Sequence, residues 1–142
     1  MSLTPEEVQA VIWAGLPQAR EQGLIIEQGD GGSIRARQPF DEKTIRPGGT
    51  ISGPTMMGLA DAAMYAAILS RLGRVEMAVT QNLNINFLSR PEPADLIADV
   101  EIIRLGRRSA VLEVRLYTTV GNENMVAHVT GIYALPAGEE KR

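Results

Sequence analysis

Two short stretches of this chain carry residue types that can do chemistry. The first is Leu59-Ala60-Asp61-Ala62-Ala63, where a single carboxylate sits among apolar neighbours in a segment of helical character. Aspartate is a poor helix-interior residue, and a buried carboxylate is costly unless it is paired. An Asp in the first turn would be ordinary, but Asp61 lies more than two turns in. It is satisfied by a buried Arg or by backbone groups, or it works as a general base or nucleophile, or it is a plain exposed position. The second stretch is Ser52-Gly53-Pro54, at the entrance of the same segment. A helix N-terminus presents unpaired N–H groups and a positive dipole end, suited to a developing oxyanion or a carbonyl oxygen. Pro54 has no N–H, so Gly53 would be the donor, with Ser52 beside it. Ser-Gly-Pro is also a common way to begin any helix.

The spacing of these stretches bears on assembly. Eight residues separate Gly53 from Asp61, about 12 Å along a helix rising ~1.5 Å per residue. Within one chain they cannot meet at one carbonyl carbon. Two such helices packed antiparallel about a two-fold axis would bring Asp61 of one chain towards Gly53 of the other, so a site of this kind needs a homodimer.

Composition narrows the chemistry to these groups. The 142 residues suit one domain with a real core. Fourteen basic and seventeen acidic side chains leave a net charge of -3, which argues against nucleic-acid or polybasic membrane binding. With no cysteine, thiol nucleophiles and Cys-based metal sites are excluded, and a single histidine, His128, removes the two-His zinc arrangements. No metal site is expected. Neither a signal peptide nor an apolar run of membrane length is legible, which points to a soluble, cytoplasmic domain.

The elements that must position Asp61 and Gly53 follow from periodicity. Thr4 as N-cap, Pro5 at the first helical position and Glu6-Glu7 in the first turn open a helix over 5–15. Its apolar stripe is Val8, Val11, Ile12 and Leu16, and Gly15 and Pro17 close it. Residues 23–30 and 33–39 flank Gly31-Gly32 and read as a hairpin; 41–53 reads as a loop. Thr55–Leu72, after Pro54, is apolar nearly all round and reads as a buried helix ended by Gly73.

Strand-like alternation follows over 79–87, 95–105, 108–120 and 125–134, with turns at Gly106 and at 121–124. In 79–87, Val79, Gln81, Leu83, Ile85 and Phe87 make one face; Thr80, Asn82, Asn84 and Asn86 make the other. The result is one α+β domain over 1–142, an antiparallel sheet wrapped around a long helix, with a frayed tail at 136–142. Strand order is not derivable from the pattern.

Taken together, these residues resemble a known family. Gly49-Thr-Ile-Ser-Gly-Pro-x₄-Leu59-Ala60-Asp61 is similar to the G-x-x-H-G-G-x₄-L-A-D segment of the hotdog-fold acyl-CoA thioesterases of the phenylacetyl-CoA (PaaI-like) type. Val79–Pro91 resembles the strand after the helix in that family. Arg104-Leu-Gly106-Arg107 and Val126–Tyr133 match in type and place, so the similarity spans roughly residues 23–135.

The resemblance implies a hotdog fold and a dimer with one continuous sheet, commonly paired into tetramers. It implies Asp61 as nucleophile or general base and the Gly53 N–H as donor to the thioester oxygen. It also implies Thr80 as the group holding water or the carboxylate. Coenzyme A would enter as part of the substrate, with no separate cofactor. Three positions depart from the family pattern: Ser52 stands for its histidine, Pro54 for its second glycine and Arg46 for a frequent asparagine.

Secondary candidates are Arg46 near the thioester or CoA, and Arg104, Arg107 and Arg108 for CoA phosphates. Met57, with Met56, Met64 and Tyr65, could line an acyl pocket. His128 reads as an edge or outer-face residue. The rival functions are a noncatalytic acyl-CoA binding module, an enoyl-CoA hydratase, which would need an acid–base pair, and a purely structural dimer, which would give Asp61 no work.

Overall fold

The computed structural model describes residues 3–30, 33–120 and 125–136. Helix α1 spans Pro5–Gly15, opened by a reciprocal cap: the Glu7 N–H donates to Thr4 Oγ1 (3.2 Å) and the Thr4 N–H to Glu7 Oε1 (2.8 Å). Val8 and Ile12 are fully buried, but Leu16 lies beyond the last turn and stays exposed. Pro17 does more than stop α1. Its fixed φ also suits a first helical position, and it opens a second helix, α2 (Pro17–Gln22), which ends on Gly23 in the left-handed region.

Strands β1 (Ile25–Asp30) and β2 (Ser33–Gln38) pair antiparallel, while the expected Gly31-Gly32 turn lies outside the described residues. The 41–53 stretch, expected as a plain loop, is ordered. Asp41 Oδ1 accepts from the Lys43 N–H (2.9 Å) and caps a 3₁₀ turn over Glu42–Thr44. A small hairpin follows, β3 (Ile45–Arg46) against β4 (Thr50–Ile51), whose turn uses positive φ at Gly48 and Gly49.

Helix α3 runs Gly53–Leu72. Ala60, Ala63, Met64, Ala66, Ala67, Ile68 and Leu69 are fully buried, but the burial is not all round. Pro54, Met57 and Gly58 are exposed and Asp61, Ala62 and Tyr65 half-buried, so one open stripe runs along the helix at i, i+3, i+4 spacing. The remaining strands are β5 (Val79–Phe87), β6 (Leu96–Leu105), β7 (Ser109–Thr118) and β8 (Ala127–Ala134). With β1 and β2 they form one antiparallel six-stranded sheet in the order β1-β2-β6-β7-β8-β5. Its inner face presents Val100, Leu112, Val114, Leu116 and Val129 to α3. This is a hotdog fold: a sheet wrapped around one long helix.

The turn at 121–124 and the tail at 137–142 lie outside the described residues. On the outer face of the sheet Asn82, Asn84 and Asn86 are exposed. His128 sits there too, 2.7 Å from Glu113 Oε2, and its hydrogen bond holds the Glu113 carboxyl below its ordinary range.

One packing contact is tight enough to predict its failure. A Cβ on Gly131 would lie 2.5 Å from Met64 Sδ and 3.1 Å from the Asn82 carbonyl, which belongs to the neighbouring strand. Gly131→Ala is expected to destabilise the fold by about 1–3 kcal/mol through overpacking, seen as a lower thermal midpoint.

Candidate active site

Asp61 stands on the open stripe of α3, where a carboxylate reaches water without crossing the core. Its Oδ1 accepts two hydroxyl hydrogen bonds, from Thr80 Oγ1 (2.6 Å) and from Tyr133 OH (2.8 Å). The Tyr133 hydroxyl is also 3.1 Å from the backbone carbonyl of Asp61. Among the described residues, Oδ2 has no hydrogen-bond or ion-pair partner. Neither an Arg nor a backbone N–H satisfies this carboxylate; hydroxyls from two strands do.

Thr80 reaches Asp61 because β5 breaks its own alternation. Thr80 pairs with Tyr133 and Asn82 pairs with Ile132, so Gln81 is an extra residue between them. This bulge turns Thr80 onto the inner face that carries Leu83 and Ile85, correcting the alternation that grouped it with the outward asparagines. Tyr133 comes from β8, where alternate residues Ala127, Val129 and Tyr133 face the helix and are buried. Its ring stacks on Tyr65 (centroids 6.3 Å apart, planes at 17°), and the Tyr65 hydroxyl donates to the Glu76 carbonyl at 3.0 Å. Burial first, and then the charge of Asp61, push the Tyr133 phenol far above the usual tyrosine range, with Thr80 opposing slightly. Burial thus favours the neutral, donating form of the phenol. Sequence reasoning assigned Tyr133 no role. The signal it offered was a polar-tipped ring at an inward position of an otherwise apolar strand.

An open groove of about 1280 Å³ runs past these groups. Asp61, Tyr65, Thr80 and Tyr133 line one part, and Val11, Leu16, Ala19 and Leu24 from the N-terminal elements line another. More of the groove's surface is apolar than polar, and the polar atoms of Asp61, Thr80 and Tyr133 converge within it, as in a small-molecule site.

The structure brings Asp61 and Thr80 together and leaves the other expected site residues elsewhere. Ser52 is the N-cap of α3: its Oγ accepts from the Thr55 N–H (3.3 Å) and lies 2.8 Å from Thr55 Oγ1. Ser52→Ala is expected to cost about 1 kcal/mol, read as a thermal midpoint lowered by a few degrees. Gly53 is the first helical residue, and a Cβ there would meet Phe87 Cζ at 3.2 Å. Its N–H finds no acceptor among the described residues, as first-turn amides do not.

Arg46 is exposed on β3 and Met57 exposed on α3, and neither lines the groove. Arg104, Arg107 and Arg108 are exposed around the β6–β7 turn, also outside it. That turn is at the Tyr133 end of the sheet, since Tyr133 pairs with Ala110, but two strands away from Thr80. Among the described residues, no group of three or more His, Asp or Glu could hold a metal ion, and no helix is long and apolar enough to cross a membrane.

A six-stranded antiparallel sheet wrapped around one long helix is the architecture of the hotdog class of proteins. Residues 48–124 match the model of the thioesterase superfamily, and the chain belongs to that family of thioester hydrolases. A candidate esterase of Halobacterium salinarum is 34% identical over 101 residues, covering 68% of this chain and about two thirds (66%) of that protein. Among solved structures, a candidate thioesterase from Silicibacter sp. TM1040 is 36% identical, covers 93% of this chain and 91% of its own, and superposes with a TM-score of 0.83. The PaaI protein of the E. coli phenylacetic acid degradation operon, 19% identical with 94% of each chain covered, shares the fold at a TM-score of 0.81.

Proposed function

We propose that this chain hydrolyses small or medium acyl- or aryl-CoA thioesters, with Asp61 as the reactive carboxylate. The observation that carries the reading is the asymmetry of that group: one oxygen held by two hydroxyls, the other without a partner among the described residues and beside an open groove. As general base, Oδ2 would take a proton from water while the water oxygen bonds to the thioester carbon. The tetrahedral oxyanion then collapses, the C–S bond breaks, and the leaving CoA sulfur recovers the proton. As nucleophile, Oδ2 would bond to that carbon and expel CoA, giving a mixed anhydride that water resolves. Thr80 orients the carboxylate in either route.

The oxyanion needs a donor that Asp61's own chain does not bring near. We assign this to the Gly53 N–H of a second protomer. What supports a homodimer is β5, a nine-residue edge strand with Val79 (58%), Phe87 (51%) and neighbouring Leu88 (56%) exposed. An exposed strand edge of this length is a template for pairing with another copy, which would extend one sheet through both protomers. Pairing of such dimers into tetramers is a further expectation, read by sedimentation. Ser52, Arg46, Met57, Arg107 and Arg108 remain candidates for substrate contacts in that assembly, and the chemistry uses no group beyond carboxylate, hydroxyls and a backbone amide.

A release assay for free CoA thiol over butyryl-, octanoyl-, palmitoyl- and benzoyl-CoA tests the reading. Hydrolysis of at least one ester is expected. Binding of these esters without thiol release would instead mark a noncatalytic module, and hydration of crotonyl-CoA would mark a hydratase.

A further inference from the structure

We propose that Tyr133 is a positioning residue that fixes the angle of the Asp61 carboxylate towards the substrate, an inference that rests on Asp61 being the reactive group. A carboxylate on a half-open helix face can turn about its last bond, a broad torsion, and only some tilts of its plane aim a lone pair at the substrate. Here the Tyr133 hydroxyl touches both Oδ1 (2.8 Å) and the backbone carbonyl of the same residue (3.1 Å), tying the side chain to its own main chain. Thr80 is exposed, so its hydroxyl exchanges readily with water as a partner of Asp61, whereas Tyr133 is only 3% exposed and its hydroxyl is held by a packed ring. The ring itself is held. It stacks on Tyr65, whose hydroxyl is anchored on the Glu76 carbonyl, so Tyr133 cannot swing aside without disturbing a second ring. With Oδ1 already receiving two donors, Oδ2 keeps its lone pairs for water or the thioester carbon. Loss of the phenol frees the rotation, and misplacement of a reacting atom by a fraction of its contact distance is costly in rate.

Tyr133→Phe removes the hydroxyl and keeps the ring, its volume and its stack. With the fastest ester of the thiol-release screen, kcat is expected to fall by about 10–100-fold with KM within about twofold, since the lost function is orientation and not binding. The decisive reading is a cycle with Asp61→Asn. If Tyr133 acts through the carboxylate, adding Tyr133→Phe to Asp61→Asn costs nothing further; a general structural role would lower both backgrounds by the same factor. Equal losses in the two backgrounds, or full kcat in Tyr133→Phe, overturn the proposal. Wild-type turnover in Asp61→Asn would instead remove the underlying reading of Asp61, so the two failures are distinguishable. The unsubstituted protein supplies a second measurement that does not depend on Tyr133→Phe folding. Its proton NMR spectrum should hold a hydrogen-bonded Tyr133 hydroxyl resonance that Asp61→Ala shifts upfield, and an unchanged resonance in that variant would equally overturn the assignment.

Discussion

Asp61→Asn is expected to lower kcat for acyl-CoA hydrolysis by about 10²–10⁴-fold, the range spanned by loss of a positioned base. The amide is nearly isosteric, and its oxygen can still accept from Thr80 and Tyr133, so the local structure should survive. What disappears is the negative charge and the basic, nucleophilic Oδ2. Thermal midpoint and oligomeric state should therefore hold while turnover collapses, and full activity in this variant would exclude Asp61 as the reactive group. Asp61→Ala is a harsher test, because it removes the carboxylate that the hydroxyls of Thr80 and the buried Tyr133 both hold.

The second large effect concerns the oxyanion donor. Gly53 is the first residue of α3, where proline is well tolerated, and Ser52 before it is already extended (φ -71°, ψ 152°), as a residue preceding proline must be. Gly53→Pro thus removes one N–H at a helical position that accepts proline, while its Cβ meets the Phe87 ring as the alanine of Gly53→Ala does. Loss of a single oxyanion donor typically lowers kcat by about 10²–10³-fold, and that is the loss expected here. Gly53→Ala keeps the donor and adds a Cβ that must displace the half-exposed Phe87 ring, so its loss should be much smaller.

Mixing the two damaged proteins then asks whether the site is shared. After equimolar exchange of Asp61→Asn and Gly53→Pro protomers, half the dimers are mixed, and each mixed dimer holds one site with both functional groups. Activity should recover to about one quarter of wild type, by the symmetry of a two-fold interface. If Asp61 and Gly53 served the same site within one chain, no intact site would form and nothing would recover.

Much of this was legible without coordinates, and the division follows the range of the interactions involved. Caps, first-turn prolines and alternation act within a few residues. Thr4 with Glu7, Pro5 and the Ala/Met/Leu-rich run of α3 therefore announced their elements in the sequence itself, and so did Asp61 as a carboxylate out of place. The family, with its fold and its class of chemistry, was carried by the Gly49–Asp61 segment for the same reason: its signal is local.

The tertiary structure decided what depends on distant partners. Strand order put β5 at the edge beside β8, and only that pairing sets Thr80 opposite Tyr133. The bulge at Gln81 then overrode the period of two, because one inserted residue reverses the face of everything on one side of it. Asp61 was conspicuous in the sequence as a lone charge among apolar residues. Its two hydroxyl partners lie 19 and 72 residues further along the chain, and no periodicity can connect groups that only the closed sheet brings together.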